Sequence, residues 1–164
     1  MLFVVLLGGK HPRAKIEVHD VVFVVADDLA AAHGDLKAQW FGDPHGVHID
    51  AWMRVEGVDG WRVSFGHQAP AAGAPRLFFL NLGGYLPGDF GESHQYLLVV
   101  ARDRAAARAL GRQRYAATRW HQPHTDALLD VDDCVPIDQV GGRYVQLTPG
   151  GHAPIERRSD YTVL

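Results

Sequence analysis

Residues 2–9 of the chain read LFVVLLGG, and residues 77–84 read LFFLNLGG. Each stretch is a short apolar run closed by two glycines, which is typical of a buried strand that ends in a turn. Sliding residues 2–40 onto 77–115 without a gap extends the match beyond these strands. The matched pairs include Leu7/Leu82, Gly8/Gly83, Glu17/Glu92, His19/His94, Val24/Val99, Asp28/Asp103 and Ala32/Ala107. The sequence therefore predicts a tandem duplication.

The repeat resumes after one inserted residue in the second copy. The further pairs are His45/His121, His48/His124, Asp50/Asp126, Ala51/Ala127 and Val55/Val131. On this alignment residues 47–55 and 124–131 should both be strands, because apolar and polar residues alternate in them. The last strand of each half is predicted at GWRVSF (60–65) and GRYVQL (142–147).

Each half is predicted to have the element order ββαββ. The second strands, EVHDVVFVVA (17–26) and ESHQYLLVVA (92–101), are rich in β-branched and aromatic residues. Asp28 and Asp103 precede alanine-rich segments, which is the N-cap position of a helix. The predicted fold class is α+β, a tandem duplication of a ββαββ unit in two mostly antiparallel halves related by a pseudo-twofold axis. We predict repeats at 1–66 and 77–148, a linker at 67–76 and a C-terminal tail at 149–164, in which residues 149–160 are expected to be flexible.

Composition narrows the classes of function. The chain has 164 residues, is 47% hydrophobic and 21% charged, and carries a formal net charge of −3. Such a chain has no electrostatic footprint for nucleic acid. The N-terminal apolar run is too short for a membrane span and lacks the basic start of a signal peptide, so we interpret it as a strand. One cysteine, Cys134, excludes an internal disulfide and fits a reducing cytoplasm.

Residues 45–52 read HGVHIDAW, and residues 17–19 read EVH. Glu17 and His19 are two apart on a strand and share a face, as do His48 and Asp50. If the two strands are neighbours, imidazoles and carboxylates meet at a spacing suited to Zn, Fe, Mn or Ni. The candidate metal ligands are Glu17, His19, His45, His48 and Asp50, with a weaker second set at Glu92, His94, His121, His124 and Asp126. The predicted cofactor is thus a divalent transition metal of unknown identity.

Two other interpretations use the same residues. A histidine with a carboxylate two residues away often forms a buried polar network that fixes strand register. Simple alternation also puts His48 and Asp50 opposite the apolar face of Ile49, so the four side chains do not converge unless both faces of the sheet are covered or a β-bulge intervenes. A small-molecule site for an anion is the third interpretation, with candidate ligand-binding residues Arg13, Lys15, Asp20, Trp52 and Arg54. Its catalytic candidates are His19, His48 and Asp50, with Asp50 orienting His48 as a general base.

The combination of LGG, ExHD before FVVA, QWFG and HIDAW resembles the DUF1543 family, bacterial proteins with one or two copies of a small domain of unknown function. The first half carries these motifs intact. The second half departs from them with SHQ at 93–95 and HTDAL at 124–128. The resemblance implies an α+β fold and a bacterial origin, and it implies no activity.

Three classes of function therefore stay open: a metal-dependent enzyme or metal binder, a small-molecule module, and a structural or interaction protein. We expect a cytoplasmic protein with no nucleic-acid or membrane partner. The C-terminal YTVL (161–164) is strand-like and is predicted to add to a sheet edge, with a homodimer as one way to do so.

Overall fold

A computed structural model describes residues 1–85, 88, 90–115 and 131–164. The chain divides into two compact units. The first comprises Met1–Ser64, Val140–Arg143 and Thr148–Leu164, and the second comprises Phe65–Gln139 and Tyr144–Leu147. The C-terminal segment is therefore part of the first unit.

The described secondary structure consists of mostly antiparallel sheets and two short α-helices, which is an α+β fold. The strands are β1 (Leu2–Gly9), β2 (Val18–Val25), β3 (His48–Val55), β4 (Gly57–Val58), β5 (Trp61–Gly66), β6 (Arg76–Gly84), β7 (Ser93–Ala101), β8 (Val131–Pro136), β9 (Gln139–Val140), β10 (Arg143–Pro149), β11 (Glu156–Arg158) and β12 (Thr162–Val163). The helices are α1 (His33–Gln39), which a 3₁₀ turn at Ala30–Ala32 precedes, and α2 (Arg104–Tyr115). No helix in the described part of the chain is both long enough and apolar enough to span a membrane.

The sheet of the first unit is built around β1. This strand pairs antiparallel with β2 on one side and with β3 on the other. Its apolar sequence suits a central strand, because both of its faces are covered. Phe3, Val5 and Leu7 project to the side of α1, where they join a buried cluster with Leu36 and Trp40.

The C-terminal segment completes the outer edge of this sheet. Strand β11 pairs with β3, and so does β12, in which Val163 lies opposite His48. The backbone N–H of Leu164 also donates to the Val47 carbonyl at 3.0 Å. The prediction that YTVL adds to a sheet edge is confirmed, and the edge is β3 of the same chain. The prediction that residues 149–160 are flexible is wrong for Glu156–Arg158, because backbone pairing holds these residues against β3.

In the described residues of the second unit, β7, β6 and β8 form a three-stranded antiparallel sheet in that order. Leu77 lies opposite Val100 in the β6-β7 pair, just as Leu2 lies opposite Val25 in the β1-β2 pair. Cys134 of β8 is buried in the core beneath α2, where burial raises the pKa of its thiol. A buried thiol of raised pKa is a packing residue rather than a nucleophile.

Both aspartates cap the first turn of a helical segment, which is the 3₁₀ turn before α1 for Asp28 and α2 for Asp103. Asp28 Oδ1 accepts a hydrogen bond from the backbone N–H of Ala31 at 2.8 Å. Asp103 Oδ1 accepts the equivalent bond from Ala106 at 2.8 Å, and this bond lowers the pKa of the Asp103 carboxyl. Each side chain satisfies one backbone donor that the first turn would otherwise leave without a partner.

Candidate functional site

A β-bulge in β3 shapes the candidate site. Leu7 of β1 lies opposite Ile49, and Leu6 lies opposite Ala51, so Asp50 has no partner on β1. Side chains alternate between the two faces of the sheet before and after the bulge, but the extra residue shifts this alternation by one position. Asp50 can therefore turn toward the same face as His48. Simple alternation argued against convergence of His48 and Asp50 with Glu17 and His19. That argument does not apply here, because it assumes strand pairing without a bulge.

Gly8 lies at the centre of the cluster. It is the β1 partner of both His19 on β2 and His48 on β3, so the two imidazoles flank it on one face of the sheet. A Cβ atom at this position would lie 2.5 Å from Asp50 Oδ2 and 2.6 Å from His48 Nε2. Only glycine leaves this space free, and the space is enclosed by donor atoms.

The four side chains approach one another at a nearly uniform spacing. His19 Nε2 lies 3.4 Å from Glu17 Oε1 and 3.2 Å from Asp50 Oδ2. His48 Nε2 lies 3.4 Å from Glu17 Oε1 and 3.4 Å from Asp50 Oδ1. Ligand atoms bound at about 2.1 Å around a tetrahedral ion are about 3.4 Å apart. Glu17, His48 and Asp50 each offer one ligand atom within 4.8 Å of the others, so they could hold a single ion.

The hydrogen bond of the His48 ring determines its tautomer, and so which ring nitrogen presents a lone pair to the cluster. Its Nδ1 lies 2.9 Å from the Gly46 carbonyl oxygen. A carbonyl oxygen only accepts, so Nδ1 carries the hydrogen, and Nε2 of the neutral ring is a bare lone pair. This lone pair points at two carboxylates. The contact is repulsive unless a proton or a metal ion lies between them.

Burial is graded across the cluster. The side chain of His48 is 5% exposed and that of Asp50 is 26% exposed, whereas those of Glu17 and His19 are 46% and 47% exposed. Asp50 Oδ2 is buried and makes no hydrogen bond, although His19 Nε2 is 3.2 Å away. The orientation of that pair does not suit a hydrogen bond, and an unsatisfied buried polar atom costs about 1 to 3 kcal/mol. The site thus has a buried floor and an open mouth.

Tyr161 forms part of the wall beside His48. The two rings lie 4.6 Å apart between centroids at an interplanar angle of 40°. The residue belongs to the C-terminal segment that β12 anchors along β3. Sequence analysis did not identify this contact, because it depends on where the segment pairs.

His45 is not brought to the cluster. Its side chain is 94% exposed, and its Nδ1 lies 3.0 Å from Asp43 Oδ1. The backbone N–H of His45 also donates to the same oxygen at 2.9 Å, and this bond lowers the pKa of the Asp43 carboxyl. His45 therefore belongs to a surface loop pair rather than to the set of ligands.

The predicted ligand-binding residues do not converge either. Trp52 packs edge-on against Phe3, with ring centroids 6.1 Å apart, on the face that carries the helix. Arg54 lies on that face as well and pairs with Glu156 at 3.0 Å. Asp20 lies opposite Leu7 in the ladder, so it too points away from the cluster. The bulge causes this separation, because it reverses the facing of every β3 residue that follows it relative to His48.

Arg13 and Lys15 lie in the exposed loop between β1 and β2. The backbone N–H of Arg13 donates to His11 Nδ1 at 3.2 Å, which gives the loop a local turn. The structure does not bring these two basic residues together with Trp52 or Arg54.

The second unit repeats the bulge. Leu82 lies opposite Val131 and Asn81 lies opposite Asp133, so the residue without a partner on β6 is Asp132. It meets Glu92 and His94 above Gly83. The predicted second-copy residues His121, His124 and Asp126 lie outside the described residues, as does nearly all of the strand predicted at 124–131. The described strand β8 begins only at Val131. Sequence analysis missed Asp132, although Ile49-Asp50 and Val131-Asp132 share the order of an apolar residue before an aspartate.

The fold and the cluster together define an antiparallel α+β protein with a histidine and carboxylate site beside a bare glycine. The family model described as Domain of Unknown Function (DUF1543) matches residues 14–65, which span β2, α1, β3 and the β4-β5 hairpin. The chain is also similar to a solved protein, Il1583 from Idiomarina loihiensis, with 32% sequence identity and a TM-score of 0.76 over 99% of this chain and 97% of that one. The chain belongs to the DUF1543 family. No curated protein matches it.

Proposed function

We propose that the first unit is a binding module for a divalent transition metal ion. Glu17, His48 and Asp50 are its ligands, and His19 is the fourth group at the open mouth. The observation that carries the proposal is the bare Nε2 of His48, which the Gly46 carbonyl aims at two carboxylates. Metal-bound histidines characteristically donate their other ring N–H to a carbonyl or a carboxylate in this way.

The donor set indicates the class of metal. Two imidazoles with two carboxylates suit Zn, Fe, Mn or Ni better than Ca or Mg, which prefer oxygen ligands alone. His19 and Glu17 are half-exposed, so a bound ion would face solvent on that side. A metal open to solvent can polarise a water molecule or an anionic substrate, and the predicted small anionic ligand fits that position.

A purely structural network is the second candidate, and the short contacts of His48 with both carboxylates also support it. In this reading His48 is an imidazolium that joins Glu17 on β2 to Asp50 on β3. These partly buried ion pairs then fix the register of the strands on both sides of Gly8. A protein of this kind would have the same stability with and without metal ions.

Thermal unfolding with and without metal separates the two candidates. At an ion concentration about 100 times Kd, binding to the native state raises the free energy of unfolding by about 2.7 kcal/mol. For a chain of this size, we expect an increase in Tm of about 5 to 10 °C for at least one of Zn, Mn, Fe and Ni over chelator-treated protein.

The matched control for this experiment is His45→Ala, since His45 is an exposed histidine outside the cluster. The variant should show the same increase in Tm as the wild-type protein. Equal Tm values for chelated and metal-loaded wild-type protein with all four ions would contradict metal binding and support the structural network.

We also propose that the two units are copies of one ββαββ unit, with repeats at 1–66 and 77–148, a linker at 67–76 and a C-terminal segment at 149–164. The sequence repeat, the shared strand register and the bulged aspartates Asp50 and Asp132 support this. Cytoplasmic location, bacterial origin and a homodimer remain predictions from the sequence.

A small-molecule site of another kind has one structural candidate. A cavity of about 410 Å³ in the second unit is lined by apolar residues such as Leu77, Ile137 and Val145. Arg76 and Asp138 in its lining form a two-bond ion pair with each other, so the guanidinium is already neutralised for an anionic ligand. The histidine cluster therefore remains the better-supported site.

A further inference from the structure

We propose that the metal site of the first unit takes an organic monocarboxylate whose apolar group, aromatic or branched, packs on Tyr161 and Val163. The carboxylate binds at the ion, so the inference rests on the proposed function and names the class of ligand for the same site. Tyr161 and Val163 form what we call the apolar wall. They belong to the C-terminal segment that lies along β3.

Both residues of the apolar wall lie on the face of the sheet that carries the metal cluster. Val163 is the β12 partner of His48, and directly paired residues of neighbouring strands project to the same face. The ring of Tyr161 lies 4.6 Å from the His48 ring between centroids. The apolar wall therefore stands beside the ligand His48, at the edge of the site that the C-terminal segment forms.

Other groups anchor the C-terminal segment. Leu164 packs against the buried cluster on the helix side of the sheet, and its backbone N–H donates to the Val47 carbonyl. Backbone pairing of Thr162 and Val163 with β3 adds to this anchor. The side chains of Tyr161 and Val163 lie on the opposite face from that core, so anchoring the segment does not explain why they are apolar.

The apolar wall is open to solvent. Tyr161 is 67% exposed and Val163 is 59% exposed, whereas the side chain of His48 beside them is 5% exposed. A single exposed apolar residue is ordinary on a protein surface. Two of them at the mouth of a polar site match the lining of small-molecule sites, in which apolar surface surrounds a few polar groups. The wall thus offers apolar surface that a ligand bound at the ion can cover.

The charge of the site favours a monoanion. The carboxylates of Glu17 and Asp50 balance the charge of a divalent ion, because His48 offers Nε2 of a neutral ring. A dianion such as phosphate therefore meets more repulsion from these two carboxylates than a monocarboxylate does. The loop at 10–15, which leads to Glu17, carries three basic residues and no acidic one, and this favours the approach of an anion.

A comparison of phenylacetate, 3-methylbutanoate and acetate tests the inference on the full-length protein. Metal content after loading with Zn²⁺ is measured first. Calorimetric titration should then show that phenylacetate binds about 10-fold or more tightly than acetate, because its ring covers part of the apolar wall. The affinity of 3-methylbutanoate should lie between the two, and phosphate should bind more weakly than phenylacetate. Chelator-treated protein should bind none of these anions.

Variants of the apolar wall should remove the preference without removing a metal ligand. Tyr161→Ala should retain Zn²⁺ but prefer phenylacetate over acetate by no more than about threefold. Tyr161→Phe keeps the ring and should keep the wild-type preference. The matched control is Tyr85→Ala, since Tyr85 is an exposed tyrosine of the second unit, and it should also bind as wild type does. Circular dichroism shows whether each variant is folded.

The outcomes separate this inference from the proposed function. A wild-type protein that holds no metal would overturn both. A protein that holds Zn²⁺ but binds phenylacetate no more tightly than acetate, or less tightly than phosphate, would overturn the inference alone. An unchanged preference in folded Tyr161→Ala would do the same. If Tyr161→Ala unfolds or loses the ion, Val163→Ser decides, because it leaves the Tyr161 ring in place. A wild-type preference in Val163→Ser would then overturn the inference, and a reduced preference would support it.

Discussion

His48→Ala is expected to abolish metal binding in the first unit. Loss of a residue that merely orients a ligand costs about 10- to 100-fold in affinity. His48 is a ligand in this account and the most buried group of the cluster, so its loss should weaken binding by at least about 100-fold. The variant also leaves Glu17 and Asp50 with the half-exposed His19 as the remaining imidazole of the cluster.

Competition with a chromogenic chelator measures this change directly. The comparison needs His45→Ala as a control for the loss of a histidine, and circular dichroism to show that the variants are folded. If His48→Ala unfolds, Asp50→Asn takes its place, since it removes one charge and keeps the shape. Wild-type affinity in the folded His48→Ala variant, or in Asp50→Asn, would contradict the assignment of ligands.

Gly8→Ala is expected to block the same site without replacing any ligand. The added Cβ would lie 2.5 Å from Asp50 Oδ2, 2.6 Å from His48 Nε2 and 3.2 Å from His19 Cδ2. These groups must move apart, so the donor atoms no longer enclose one small volume. We expect metal binding to be lost and the metal-free protein to be destabilised by about 1 to 3 kcal/mol through overpacking.

Gly34→Ala is the matched control for the second prediction. A Cβ at Gly34 in α1 meets nothing within 4 Å, and alanine is favoured over glycine in a helix by about 1 kcal/mol. This variant should bind metal normally and be as stable as wild type or slightly more so. A Gly8→Ala protein that binds metal as tightly as Gly34→Ala would show that the space above Gly8 is not the binding site.

The strands and the helix starts could be predicted from local sequence. Apolar runs closed by Gly-Gly predicted β1 and β6, because a strand that is apolar throughout is typical of a position where both faces are buried. Asp28 and Asp103 could be assigned as caps, since an aspartate directly before an alanine-rich segment is typical of a helix cap. Both features depend on interactions within a few residues, which is why the sequence reveals them.

Convergence of the site could be proposed but not decided from the sequence. Glu17, His19, His48 and Asp50 meet only because Asp50 is an extra residue opposite β1. Whether a ladder contains a bulge depends on the pairing of two distant strands. The same bulge separates Trp52 and Arg54 from the cluster, so one extra residue both brings the candidate metal ligands together and keeps these two residues away from them.

The second unit shows a different limit. Aligning histidines placed its third strand at residues 124–131, whereas the described strand β8 begins at Val131. The sequence alignment relied on matching histidines rather than on strand register. The observed register identifies Asp132 as the bulged residue. Tyr161 escaped prediction for a related reason, because pairing between the C-terminal segment and β3 has no local signal.

The most direct measurement is anomalous X-ray scattering from crystals of the wild-type protein grown with Zn²⁺. The account predicts an anomalous peak at about 2.0 to 2.2 Å from His48 Nε2 and from carboxylate oxygens of Glu17 and Asp50. Crystals of a protein saturated with Zn²⁺ that show no peak within bonding distance of His48 Nε2 would contradict it. A direct hydrogen bond from His48 Nε2 to Asp50 in the same crystals would identify the cluster as the structural network.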